Sequence, residues 1–271
     1  MRKKTIIILT LMLLAAIITI WLVWGNLSIK TTRYQVSSQK LPDTFHNFRI
    51  VQISDLHNAS FGTNNQRLLA KIRNSDPDII VVTGDLVDYY HPDIDVSLSF
   101  IEEAVKIAPC YYVYGNHEAR MPQDYPNIRR KLMGLGVTVL EDSSVFIEKE
   151  GQQICIAGLR EHLSVSDQHI NTILQDQTYS ILLSHRPDHA AAFSASNADL
   201  VLCGHTHGGQ LRLPFIGAVY TPGEGLFPQY DSGYFSFDDS AMIISQGLGN
   251  SSFPFRVNCR PEIVVIELNC K

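Results

Sequence analysis

Residues 78–88 read DIIVVTGDLVD. Five consecutive apolar or β-branched residues with no polar face predict a strand buried on both sides, as in the middle of a parallel sheet. Gly84 lets the backbone turn sharply as the strand ends. Asp85 then stands at the carboxyl end of the strand, where ligands collect in open α/β sheets. The same grammar recurs along the chain. Strand 48–54 runs into Asp55-Leu56-His57, and strand 111–114 into Gly115-Asn116-His117-Glu118. Strand 180–183 runs into Ser184-His185, and strand 200–203 into Gly204-His205-Thr206-His207.

Helical patterns lie between the first strands. One covers 64–74, with Leu68, Leu69 and Ile72 on one face and Thr63 or Asn64 as cap. A second covers 94–107 and stops before Pro109. This β-α-β-α-β order predicts a largely parallel sheet covered on both faces. The second half adds strands at 144–149, 153–157, 241–245 and 262–268, with helices near 166–175 and 187–194. The expected fold is α/β: two sheets packed as a sandwich with helices outside. No linker divides residues 48–271.

The 271 residues are 45% hydrophobic and 18% charged, an ordinary globular composition that excludes disordered, collagen-like and coiled-coil chains. Beyond residue 30 the chain carries 18 basic and 27 acidic residues, so no basic footprint for nucleic acid is expected. The five cysteines lack CxxC spacing, which argues against a zinc ribbon. Cys110, Cys155 and Cys203 read as core residues; Cys259 and Cys270 are open to pairing if the domain is exported.

Residues 5–24 (TIIILTLMLLAAIITIWLVW) hold no charge and are long enough to span a bilayer as a helix. Arg2, Lys3 and Lys4 precede them, so the N-terminus is expected to stay cytoplasmic with the rest on the outer side. The flank Trp-Leu-Val-Trp-Gly-Asn lacks a small-x-small cleavage site, so residues 1–30 read as an uncleaved anchor rather than a signal peptide. Residues 31–47 are polar and mixed and read as a stalk leading to a domain at 48–271.

The strand ends offer seven candidate metal ligands: Asp55, His57, Asp85, Asn116, His185, His205 and His207. Residues two apart on an extended segment point the same way, so Asp55 with His57, and His205 with His207, are each expected to reach one ion. Seven donors are too many for one tetrahedral ion and suit two divalent ions sharing a carboxylate. Oxygen and imidazole donors without thiolate suit manganese, iron, zinc or nickel. Two divalent cations against two aspartates leave the pocket locally positive, which favours a phosphorylated substrate.

Asp-x-His, Gly-Asp-x-x-Asp, Gly-Asn-His-Glu, a lone histidine and Gly-His-x-His, in this order, resemble the calcineurin-like metallophosphoesterase superfamily. The resemblance covers residues 48–210 by motif. It implies a four-layer αββα sandwich and a dinuclear centre. Asp55, His57, Asp85 and His207 would hold one metal; Asp85, Asn116, His185 and His205 would hold the other. It further implies that a metal-bound hydroxide attacks phosphorus, and that His117 protonates the leaving oxygen or stabilises the transition state. Glu118 would orient His117, and Asp88 would support the cluster without being a ligand. Gly204–Gln210, the following Leu-Arg-Leu-Pro and Gly247-Leu248-Gly249 resemble a small membrane-linked bacterial branch of phosphodiesterases and phosphohydrolases. Protein Ser/Thr phosphatases have arginine before Gly-Asn-His-Glu; Tyr114 stands there instead.

The expected activity is therefore phosphodiester or pyrophosphate hydrolysis on a lipid-linked or cell-envelope phosphate, close to the membrane anchor. A soluble nucleotide phosphodiesterase is the first alternative. A non-catalytic binding module on the same fold is the second, and the complete ligand set speaks against it. His46, His91, His162, His169 and His189 lack a comparable context and read as ordinary histidines. Arg120, Arg212 and Arg256 are candidates to hold a second phosphate. The Pro-, Gly- and aromatic-rich stretch 211–231 reads as an ordered loop, or as an apolar wall that with Phe253-Pro254-Phe255 seats an acyl chain or faces the bilayer.

Overall fold

The computed structural model describes residues 2–161, 164–174, 178–221, 225–250 and 253–271. Helix α1 (Arg2–Leu27) is long and apolar enough to cross a membrane, and none of its residues is buried. The first sheet contains β1 (Lys30–Ser38), β2 (Phe48–Ile53), β3 (Ile79–Thr83), β4 (Cys110–Val113), β5 (Thr138–Val139) and β16 (Glu262–Cys270), in the order β1-β16-β2-β3-β4-β5. The second contains β6 (Ser143–Lys149), β7 (Gln152–Gly158), β8 (Ser180–Leu183), β9 (Leu200–Cys203), β14 (Gly233–Ser236) and β15 (Ala241–Ile244), in the order β14-β15-β9-β8-β7-β6. Both sheets are mixed: β2 to β5 run parallel, as do β7, β8, β9 and β15, whereas β16, β6 and β14 pair antiparallel with β2, β7 and β15.

Strand periodicity builds the layers. Ile79 and Val81 face the second sheet, as do Ile50, Val264 and Ile266; Ile181, Leu183, Leu200 and Leu202 meet them from the other side. The alternate residues Val51, Ile80, Val82, Ile263 and Val265 face outward onto α2 (Gln66–Asn74), α3 (Ile94–Ala104) and α5 (Tyr125–Gly134). Leu182, Val201 and Cys203 pack onto α6 (Asp167–Ile173) and α7 (Ala190–Ala195). Side chains of period two on strands apolar on both faces thus give helix, sheet, sheet, helix: the four-layer αββα sandwich.

Several expectations change. The segment expected as a stalk, 31–47, does not hang free: β1 pairs in parallel with β16 along its whole length, from Lys30↔Glu262 to Ser38↔Cys270. Its alternation is polar because it is an edge strand with only Val36 buried. Only Ser28 and Ile29 separate α1 from β1. Asn26 clips the helix end to the domain: its Oδ1 accepts from Arg256 N (2.7 Å) and its Nδ2 donates to Arg256 O (2.9 Å). The Arg260 guanidinium lies 4.5 Å from the Trp24 ring. Helix α2 starts at Gln66 after a 3-10 turn at Thr63–Asn65, not at an Asn64 cap. Helix α5 and strand β14 have no counterpart among the expected elements. The stretch 211–231 forms two hairpins, β10 (Arg212–Leu213) with β11 (Gly217–Ala218) and β12 (Tyr220–Thr221) with β13 (Gly225–Leu226). All five cysteines are free, Cys259 included. His162 and Gln175 lie outside the described residues.

Candidate metal centre

The carboxyl ends of β2, β3 and β4 meet those of β8 and β9 along one edge of the sandwich. Backbone bonds tie the loops there: Asp55 N donates to Gly84 O (3.0 Å), Gly204 N to His185 O (3.0 Å) and Gly249 N to Asp55 O (2.6 Å). Five of the seven candidate ligands hold left-handed backbone: Asp55 (φ 51°), His57 (46°), Asp85 (51°), His205 (73°) and His207 (50°). Such conformations are costly for non-glycine residues and cluster at functional sites. Gly84 (φ 89°) permits the close approach, since a Cβ there would lie 2.5 Å from His185 Nδ1 and 2.8 Å from Gly115 Cα.

All seven candidate ligands are buried, and they converge. Asp55, His57, Asp85 and His207 present donor atoms within 4.8 Å of one another; so do Asp85, His185 and His205. Asn116 Oδ1 lies 3.1 Å from His185 Nε2 and so joins the second group. Asp85 belongs to both: its Oδ2 is 3.6 Å from His57 Nε2 and 3.3 Å from His185 Nε2. The expectation that His205 and His207 reach one ion fails. The left-handed turns at both residues rotate successive side chains apart, and each histidine joins a different group. Asp55 and His57 do share a group, but on a curled segment rather than an extended one.

Imidazole nitrogens face one another at 3.2 Å (His57 Nε2 and His207 Nε2) and 3.1 Å (His185 Nε2 and His205 Nδ1). Buried together beside two carboxylates, such facing nitrogens need positive charge between them, a proton or a cation, since two bare lone pairs would repel. The protonation pattern shows the same demand. Burial opposes charge on His57 and His185, yet the Asp88 carboxylate 3.3 Å from His57 Nδ1 and the charge of Asp85 on His185 raise both. Burial also pushes Asp85 up, but the neighbouring imidazoles, His185 foremost, hold it well below the usual carboxylate range. Burial drives His205 and His207 toward neutrality, the state that binds metal. His205 and His207 are ready to bind as they stand, and His57 and His185 bind once a cation takes the place of their protons; four imidazoles, two carboxylates and one amide fit divalent cations of the manganese-to-zinc range.

The surroundings revise two residues. Glu118 does not orient His117. Its fully buried carboxylate accepts from Asp85 N (3.0 Å), Val87 N (2.9 Å) and Gly115 N (2.9 Å), so it clamps the turn that carries Asp85. Burial, with the Asp85 charge, raises Glu118 to about 7. His117 is instead set by the 85–91 loop: its Nδ1 accepts from Tyr89 N (2.9 Å) and faces Asp88 Oδ2 at 3.6 Å. Asp88 also lies 3.3 Å from His57 Nδ1, the place from which it could support that candidate ligand. Replacing Glu118 by Gln should put an amide donor against one of three N–H groups. About 1–3 kcal/mol of stability should go, with about 10- to 100-fold of metal affinity. Thermal unfolding and a metal titration of the variant check this; wild-type values in both would remove Glu118 from the clamp.

Of the arginines singled out, Arg212 is paired with Asp231 (2.9 Å) and Arg256 is buried on the carbonyls of Gln246, Gly249 and His207, so neither is available to a phosphate. Arg120 reaches Tyr90 Oη (3.4 Å), at the rim beside His117. The residue overlooked is Arg186. It is paired with Glu161, and its Nη1 lies 3.2 Å from His205 Nε2. Its place directly after His185 in the sequence was the available signal.

A profile of the calcineurin-like phosphoesterases matches residues 48–209. The metallophosphoesterase YkuE of Bacillus subtilis (strain 168) is 33% identical over 251 residues, covering 89% of this chain and 85% of that protein. Phosphodiesterase YaeI of Escherichia coli (strain K12) is 29% identical over 230 residues, 82% of each. The crystal structure of TT1561 of Thermus thermophilus shares the fold, with a TM-score of 0.50 and 14% identity over 74% of this chain and 89% of that one. The matched stretch runs from the strand before Asp55 to just past His207 and so takes in all seven donors that the two sheets bring together. Similarity that spans the fold and the donor cluster alike has one reading: the chain belongs to the calcineurin-like phosphoesterase family, and it is a metallophosphoesterase.

Proposed function

We propose that this domain hydrolyses a phosphodiester or pyrophosphate bond in a lipid-linked or cell-envelope phosphate. Asp55, His57, Asp85 and His207 would hold one divalent cation, and Asp85, Asn116, His185 and His205 the other. The observation that carries this assignment is the membership of Asp85 in both donor groups. When bound, the two cations supply Lewis-acid activation of water and of phosphoryl oxygens.

The chain's own residues supply the rest. Because Nδ1 of His117 accepts a backbone N–H, the proton of the neutral ring resides on Nε2. Burial, opposed by Asp85 and reinforced by His57, lowers His117 to about 4, so the ring is neutral at neutral pH. His117 Nε2 then donates a hydrogen bond to the oxygen that gains charge as the ester bond breaks. Arg186, held by Glu161 beside His205, offers a guanidinium to a non-bridging phosphate oxygen.

His117→Asn should lower turnover about 10²- to 10⁴-fold for an alkyl diester and less for a p-nitrophenyl diester, whose leaving group needs little help. Bound metal should not change. Equal losses on both substrates, or loss of metal, would assign His117 to the metal cluster instead.

The substrate reading is supported by α1, which runs into the domain with two intervening residues and keeps the site near a membrane. The three basic residues before the span favour a cytoplasmic N-terminus and a domain on the outer side. The test compares the full chain on a lipid pyrophosphate in vesicles and on a small soluble diester. Equal or better turnover of the small diester would sink the lipid-linked reading.

A further inference from the structure

We propose that the face formed by the two hairpins and the 253–255 turn is a membrane-docking surface, seated on the bilayer that α1 crosses. This rests on the anchor reading above.

Among the described residues beyond α1, fourteen large apolar side chains are exposed, and nine of them lie between 211 and 227 or at 253–255. Phe215, Ile216, Leu226, Phe227, Phe253 and Phe255 are each more than half exposed. Residues 213–228 and 253–255 contain a single charged side chain, Glu224. A contiguous apolar surface of this kind marks an interaction site rather than ordinary surface. Phe215 and Phe227 also hold left-handed backbone (φ 65° and 53°), a conformation that aromatic residues avoid. At Phe215 the strained backbone holds the ring wholly exposed among the described residues.

The pieces form one surface. Phe227 N bonds Val219 O (3.0 Å) and Val219 N bonds Leu211 O (3.1 Å), which lays the second hairpin on the first. Arg212 N bonds Val257 O (3.0 Å) and Gln210 Nε2 bonds Phe253 O (2.9 Å), which adds the turn. The same turn is clipped to the anchor through the two Asn26–Arg256 bonds. The apolar surface therefore begins where the membrane helix ends, with no stalk to lift it away. Trp21 and Trp24 lie in the last two turns of α1, the depth that indoles prefer at the lipid–water boundary. Continuity with the helix singles out the bilayer as occupant, and with Glu224 the one acidic residue between 213 and 228, the apolar side chains can enter the headgroup region at little cost in desolvated charge. The metal cluster adjoins the face, since His207 precedes Gln210 by three residues and Arg256 bonds its carbonyl.

The test uses the full chain reconstituted in vesicles. Trp21 and Trp24 are its two tryptophans. With both replaced by phenylalanine, Phe215→Trp places a single indole on the proposed face. Met133→Trp, on α5 beside β5 at the far edge of the sheet from β1, is the control. In vesicles with brominated acyl chains the indole at 215 should emit blue-shifted and lose about half or more of its intensity, as expected for a side chain sunk into the headgroup boundary. The indole at 133 should remain unquenched. If the chain co-floats with vesicles but the indole at 215 is unquenched, or quenched no more than the one at 133, the docking face is wrong and the anchor stands. If the chain does not co-float at all, anchor and face fall together.

Discussion

Asp85→Asn should leave the protein folded and nearly inactive. The variant is expected to bind fewer than two cations by elemental analysis and to lose roughly 10³-fold or more in diester turnover, about 4 kcal/mol of transition-state stabilisation. The reason lies in the crowding around one carboxylate. Asp85 Oδ2 faces His57, His185 and His117 nitrogens at 3.6, 3.3 and 4.0 Å, while Oδ1 accepts His117 N at 2.8 Å. The asparagine oxygen can still accept that N–H, so the turn persists and the melting temperature should move little. What is lost is the negative charge and the second ligating oxygen, and a –NH2 group is turned toward imidazole nitrogens. Asp88→Asn makes the contrast. It touches His57 Nδ1 and His117 Nδ1 rather than a shared ligand position, so about 10- to 100-fold is the expected loss. An Asp85→Asn protein that holds two cations and turns over at the wild-type rate would refute the shared-carboxylate centre.

Much of this was readable because strand burial and strand-end chemistry are local. Ile79–Thr83 can be recognised from its own residues, and Gly84-Asp85 follows it directly. Long-range placement was less accessible. The edge strand Lys30–Ser38 reads as polar linker because one of its faces meets solvent and its partner lies about 230 residues away in sequence. Glu118 follows His117, so adjacency suggests that one steers the other. Helix α4 (Asn116–Ala119) instead turns the carboxylate down onto the Asp85 turn. The separation of His205 from His207 depends on left-handed backbone at both, which a period-two argument cannot anticipate. For Arg186 the sequence offered only its place after His185; its contact with His205 depends on β8 and β9 lying side by side.

The edge strand leads to the second large effect. A chain beginning at residue 48, where the motif-bearing part starts, should be insoluble or self-associated, whereas one beginning at residue 28 should be a soluble folded domain. Removing residues 28–47 strips the full ladder of β1 from β16. The newly exposed edge, Glu-Ile-Val-Val-Ile-Glu-Leu, is long, apolar and without proline, the pattern that pairs with other chains. The buried side chains of Ile29, Val36, Leu41 and Phe45 leave with it. At about 1.5–3 kcal/mol each they approach the whole stability of an ordinary domain, about 5–15 kcal/mol. Glu262 adds a polar cost. It is buried, accepts Gln246 N (3.0 Å), and is compensated by Lys30 (3.3 Å) and Thr32; truncation leaves its charge without those partners. Soluble yield, size-exclusion profile and thermal unfolding of the two lengths decide the matter. A monomeric 48–271 chain that melts within a few degrees of the longer one would mean that β1 is dispensable and that the sandwich closes at β16.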